Sequence, residues 1–229
     1  VAHQPEQLFD SSKDKGWLTQ NFGKALCYVV QVCSVHHRKG AAMQLHHITL
    51  IDGAEGWVSA ALTQRSIVGE GTFSLVLDAN QDGYVVKLTR SAADYRALVH
   101  FNGTNPHFPI VITHAANQGQ FNGSYYHAVM MERLPKVHPL MAEGIANHIN
   151  RQEIGKNNPL GLLNVAKKIE NLDIPGYPAT LAEAIRALGN YALNEMLFVE
   201  LNQRINWGQR TDGTLVMFDL VHTWSEVAG

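Results

Sequence analysis

Apolar positions along this chain change period several times, and each change marks an element. Trp17, Phe22, Ala25, Leu26, Val29, Val30 and Cys33 recur at steps of roughly three and four, which predicts an amphipathic helix. A second apolar pattern, Trp57 to Leu62, precedes a switch to short strands. Ile67 to Leu88 reads as a strand, a glycine hairpin, a second strand, a tight turn at Asp82-Gly83 and a third strand, Tyr84 to Leu88. Ser91 to Phe101 returns to helical spacing, with Ser91 suited to cap the helix. Asn105-Pro106-His107-Phe108-Pro109 breaks it. Ile110 to Ile112 and Tyr125 to Met131 then read as two strands around a glycine-rich turn, and Glu132-Arg133-Leu134-Pro135 follows as a hinge. Helical patterns cover about Leu140–Asn150, Leu160–Leu172 and Leu181–Phe198. Asn206 to Asp219 closes as a hairpin turning at Thr211-Asp212-Gly213.

Helices, a small sheet with one helix, a hinge, then helices and a hairpin predict an α+β, two-lobed plan. Its expected parts are a helical extension over 1–65, a sheet lobe over 66–132 and a helical lobe over 133–229. The extension fits either an accessory layer or a docking surface.

Charge and composition narrow the partners. Lys and Arg number 18 against 20 Asp and Glu, with no extended basic stretch, which argues against nucleic acid as the main ligand. No apolar run approaches the roughly 20 residues that span a bilayer, and Ala25 to Val35 ends on His36-His37-Arg38-Lys39. No signal-peptide pattern follows Val1, whose identity implies a lost initiator methionine or upstream segment. Cys27 and Cys33 lie on one expected helix and cannot pair while it is intact, so reduced thiols and a cytoplasmic location are expected. The doublets His36-His37 and His46-His47 have no Cys or His partner at zinc-finger spacing, which argues against a structural zinc.

Two features carry candidate chemistry. Lys87 stands inside an apolar strand, where an ammonium needs an anionic partner. Asp94, on the following helix, and Glu70 are the nearby acids, although Asp94 equally suits a first turn through the helix dipole. Gly69 and Gly71 would let backbone N–H groups approach a phosphate. The same pattern fits an ordinary tight turn with Lys87 at a sheet edge. Val129 and Met130 read as an apolar back pocket or simply as core.

Several segments together resemble the protein-kinase-like superfamily, in particular the short early serine/threonine kinases of bacteriophages, with minimal bacterial effector kinases as neighbours. They are GEGTFSLVL, VVKL, DYRALVHF, NPHFP, VMMERL and NWGQRTDGTLVMFD, within roughly residues 66 to 222. The resemblance implies a bilobal protein-kinase-like fold with a small antiparallel-sheet N-lobe and a truncated, mainly helical C-lobe. It implies that Gly69, Gly71, Ser74 and Val76 contact ATP, that Lys87 holds its phosphates, and that the Met131 and Glu132 backbone reads the adenine edge. Asn206 and Asp219, thirteen positions apart, would bind Mg2+.

Departures from the pattern are as informative. Ser74 replaces the third loop glycine, and Val85 the small residue two before the lysine. Asp219-Leu220-Val221 stands where D-F-G is usual. Ten residues follow Asp219, which implies no activation segment and no control by loop phosphorylation. Leu201 occupies the position of the catalytic base, so Glu200, shifted by one residue, is the candidate for that role. The expectation is an ATP-dependent kinase acting on Ser or Thr of host bacterial proteins. A pseudokinase binding nucleotide or protein is the alternative, favoured by the altered catalytic loop and disfavoured by the retained Lys87, Asn206 and Asp219. A small-molecule kinase shares the fold, but the C-terminal half has few carboxylates to hold a cationic substrate.

Overall fold

The computed structural model describes residues 48–64, 66–71, 73–79, 81–121, 124–137, 159–172, 178–199, 201 and 204–223. The strands are β1 (Thr49–Leu50), β2 (Ile67–Glu70), β3 (Ser74–Asp78), β4 (Tyr84–Thr89), β5 (Val111–Phe121), β6 (Ser124–Glu132), β7 (Trp207–Gln209) and β8 (Leu215–Met217). The helices are α1 (Gly56–Gln64), α2 (Ala92–Phe101), α3 (Pro159–Leu172) and α4 (Ala179–Asn194). The architecture is mixed α+β. Six strands form one antiparallel sheet in the order β1-β5-β6-β4-β3-β2, and β7 pairs with β8 in a separate hairpin.

Alternation along the strands gives the sheet two apolar faces. Leu75, Leu77, Val86, Leu88, Ala128 and Met130 turn toward Val58 and Ala61 of α1. Val85, Val129 and Met131 turn the other way, into a core shared with α2, α3, α4 and the β7–β8 hairpin. Each fully buried Leu or Val adds about 1.5–3 kcal/mol to that core. Lys87 lies between Val85 and Leu88 on β4 and shares the second face with Val85. Val129 pairs with Lys87 on this face, whereas Met130 belongs to the α1 side, so the two do not line one pocket.

Local chemistry explains most boundaries. Gly83 takes φ +84 in the β3–β4 turn and Gly213 φ +91 in the β7–β8 turn, where a side chain would be strained. Ser91 caps α2, its hydroxyl accepting the Asp94 N–H at 3.1 Å. An added Cβ at Gly189 would come within 3.0 Å of Leu163 and 3.3 Å of Leu162, so glycine there allows α4 to lie close on α3.

Several boundaries differ from expectation. β5 continues to Phe121 through a polar stretch, accommodated by register shifts and by Asn117 at φ 52. α4 stops at Asn194 instead of reaching Phe198, because Met196 turns left-handed at φ 53. The Leu197 N–H then bonds Ala192 O at 2.8 Å and the Met196 N–H bonds Leu193 O at 3.3 Å, closing the helix end. Before residue 66, β1 pairs with β5 and α1 covers the sheet, so these residues pack as part of the sheet unit. The expected Trp17–Cys33 and Leu140–Asn150 helices, both cysteines and both histidine doublets lie outside the described residues. No helix among the described residues is long and apolar enough to cross a membrane.

Candidate functional site

A buried lysine anchors the site. Lys87 is 2 % exposed, and its Nζ has three oxygens within reach: Asp94 Oδ2 at 2.7 Å, Phe218 O at 3.0 Å and Asp219 Oδ1 at 3.1 Å. The Asp94 contact lies off the direction of a well-formed hydrogen bond, so it acts as an ion pair. The other Asp94 oxygen accepts the Leu220 N–H at 3.0 Å, so one carboxylate joins β4, α2 and the segment after β8. Asp94, not Glu70, is therefore the helix partner of Lys87. Burial works against the ammonium, but the Asp219 and Asp94 carboxylates outweigh it and hold the Lys87 pKa above the ordinary lysine value. Burial also pushes the Asp94 carboxyl up, opposed by the ammonium and by the Leu220 N–H.

The β7–β8 hairpin positions the second pair of candidates. Trp207 pairs with Met217, and the Phe218 N–H bonds Asn206 O at 3.2 Å, so Asn206 and Asp219 emerge at the same end of the hairpin. Asn206 is buried, while the Asp219 side chain is 24 % exposed. Such oxygen donors suit a hard cation that keeps most of its water. Among the described residues no group of three or more His, Cys, Asp or Glu is placed to hold a metal by itself. The Trp207 indole N–H donates to Leu201 O at 2.8 Å, tying Leu201 to the start of β7. Leu201 is itself buried, and Glu200 lies outside the described residues.

The glycine hairpin joins β2 to β3. Gly69 pairs with Val76, and the Gly71 N–H is used internally, donating to Ser74 O at 2.9 Å. Neither glycine has a left-handed φ. A Cβ at Gly69 would meet nothing closer than 3.7 Å, and one at Gly71 nothing closer than 3.4 Å. Turn strain and packing therefore do not account for glycine at these two positions. Val76 pairs directly with Lys87 and packs on the helical core. At the hairpin tip the Phe73 ring lies 5.1 Å from the His222 ring and under the Arg90 guanidinium at 5.0 Å. His222 follows Asp219 by three residues and pairs with Phe198, each donating its N–H to the other's carbonyl.

Met131 and Glu132 end β6 in a different role from a free hinge. Met131 pairs with Val85 and Val111, and the Glu132 N–H donates to Ile110 O at 3.0 Å. The Glu132 carboxylate accepts the Ile110 N–H and both Nε and Nη2 of Arg210. Arg210 also donates to Pro106 O and Phe108 O. Sequence reasoning gave Arg210 no role, and a lone arginine after a short strand carries no signal for one. Just beyond, Leu134 packs so closely on Gly208 that a Cβ there would sit 2.6 Å from the Leu134 Cβ.

His107 fastens the turn before β5. Its Nδ1 lies 2.6 Å from Leu215 O, and a carbonyl only accepts, so Nδ1 carries the proton. Nε2 then accepts from the Thr180 hydroxyl at 3.0 Å. Burial, aided by the Arg210 charge, lowers the His107 pKa below the ordinary histidine value against the Leu215 bond.

No protein-family model matches this chain, and comparison with curated proteins gives no match.

Proposed function

We propose that this chain is a minimal ATP-dependent protein kinase with a bilobal kinase-like fold, transferring the γ-phosphate to serine or threonine of a host bacterial protein. The observation that carries the reading is the convergence on Lys87 of Asp94 from the next helix and Asp219 from the hairpin. Phosphoryl transfer of the protein-kinase type requires this set: a strand lysine, an acid on the following helix and a metal-binding aspartate. The glycines at 69 and 71 add independent support, since neither a left-handed φ nor a close contact calls for glycine there, and a backbone without Cβ lets a phosphate come near.

Asn206 and Asp219 fit Mg2+, because that ion accepts one or two protein oxygens and takes the rest from water and phosphate. When bound, Mg2+ neutralises charge on the β- and γ-phosphates. Lys87 would orient the phosphates, Asp94 would hold Lys87 in place, and Val76 would face the base. Glu200 is proposed as the group that receives the substrate hydroxyl proton.

The purified protein, incubated with γ-labelled ATP, MgCl2 and a bacterial lysate, is expected to label protein. Lys87→Ala and Asp219→Ala are expected to abolish the label, and Glu200→Ala to reduce it. ATP-dependent thermal stabilisation without transfer would instead assign a nucleotide-binding pseudokinase. Absence of both signals would refute the reading.

A further inference from the structure

The Lys87 ammonium is buried with three oxygens around it, from Asp94, Phe218 and Asp219. A phosphate oxygen can reach Nζ only by displacing one of them. Two carboxylates against one ammonium also leave the cluster net negative, which repels an anion. The three contacts are not equally replaceable. Asp94 is fully buried and tied to the Leu220 N–H, and Phe218 O belongs to the backbone beside the hairpin. Asp219 has the longest contact, and its side chain is partly exposed.

We propose that Asp219 is a latch on Lys87: capture of a divalent cation by Asp219 withdraws its carboxylate and frees a lysine donor for the nucleotide phosphate. This deepens the kinase reading and rests on it. Cation and nucleotide then bind as a coupled pair, each raising the affinity of the other by the same factor. Without metal, the cluster's own charge weakens nucleotide binding.

ATP binding by isothermal titration calorimetry, in EDTA and in MgCl2, tests the latch. The wild type is expected to bind ATP at least about tenfold more tightly with Mg2+. Asp219→Asn keeps the neutral Lys87–Asp94 pair and is expected to raise metal-free ATP affinity about tenfold while losing the Mg2+ response. Asp219→Ala repeats the measurement if the asparagine variant does not fold. Glu70→Gln removes a carboxylate from the glycine hairpin without touching Lys87, and is expected to leave metal-free affinity within about threefold. ATP binding in which both Asp219 variants match the wild type without metal overturns the latch and leaves the kinase reading standing. So does an equal gain in Glu70→Gln, which would show general charge repulsion. Absence of ATP binding by every protein in both buffers overturns the kinase reading and the latch together.

Discussion

Lys87 and Asp94 meet at 2.7 Å with their side chains 3 % and 1 % exposed, so neither charge is solvated by water. Among the described residues Asp94 has no other cation beside it, whereas Lys87 also reaches Asp219 and Phe218 O. Asp94→Ala leaves the ammonium with those two partners and the Leu220 N–H without its acceptor, and is expected to cost about 2–4 kcal/mol. Asp94→Asn keeps an acceptor for Leu220 and is expected to cost less. Ser91→Ala, which removes the cap on the same helix, should cost about 1 kcal/mol. Urea denaturation of the three variants gives the ranking. An alanine variant as stable as the wild type would show that the pair does not hold α2 against the sheet.

The glycine hairpin separates ligand binding from stability. Gly71 has an ordinary φ and room for a Cβ, 3.4 Å from Ser74 Oγ. Gly71→Ala should therefore leave stability unchanged or raise it by up to about 1 kcal/mol, by restricting the unfolded chain. ATP affinity should fall, because the methyl group enters the space proposed for phosphate. Denaturation and calorimetry on the same variant decide it. Destabilisation with unchanged ATP binding would make Gly71 a folding residue.

Arg210 ties three parts of the chain with one guanidinium. Its partners are the Glu132 carboxylate at the end of β6 and the carbonyls of Pro106 and Phe108, and it stands beside the β7–β8 turn. The ion pair is only 15–18 % exposed. Arg210→Ala should cost about 2–4 kcal/mol, since it leaves Glu132 without its cation and two carbonyls without the guanidinium donor. Arg210→Lys keeps the charge but not the planar fork, and should recover less than half of the loss. Recovery of full stability by lysine would reduce the contact to a point charge.

What was legible in the sequence was local. The Asp82-Gly83 turn, the Ser91 cap and the Asn206–Asp219 hairpin announce themselves through residues whose backbone demands are specific. Lys87 stands out because an ammonium inside an apolar strand requires a partner, and Asp94 is one of the two acids near it in the sequence. Choosing between Asp94 and Glu70 needed the fold, because burial decides which acid loses its water. β5 outruns its apolar pattern because its polar half is held by pairing with β6 and not by its own alternation. The end of α4 carries no mark in the sequence because Met196 occupies a left-handed position usually given to glycine. The Arg210 network and the Gly208–Leu134 contact join residues distant in sequence, and no spacing rule reaches them.

His107 makes stability depend on pH in a direction that its environment sets. Its folded pKa is lowered, chiefly by burial, so the unfolded chain takes up the proton first as pH falls below about 6.5. The stability this histidine contributes is complete above that value and declines as pH drops toward the folded pKa. His107→Gln abolishes the titration. The stability difference between wild type and variant should therefore shrink from about pH 7.5 to about pH 5.5. His127 also has a lowered pKa, through burial and the Arg96 charge, but it is present in both proteins and cancels in the difference. Urea denaturation at the two pH values measures the effect. A difference that stays constant would mean that His107 accepts a proton in place, with the Thr180 hydroxyl turning to receive the new N–H.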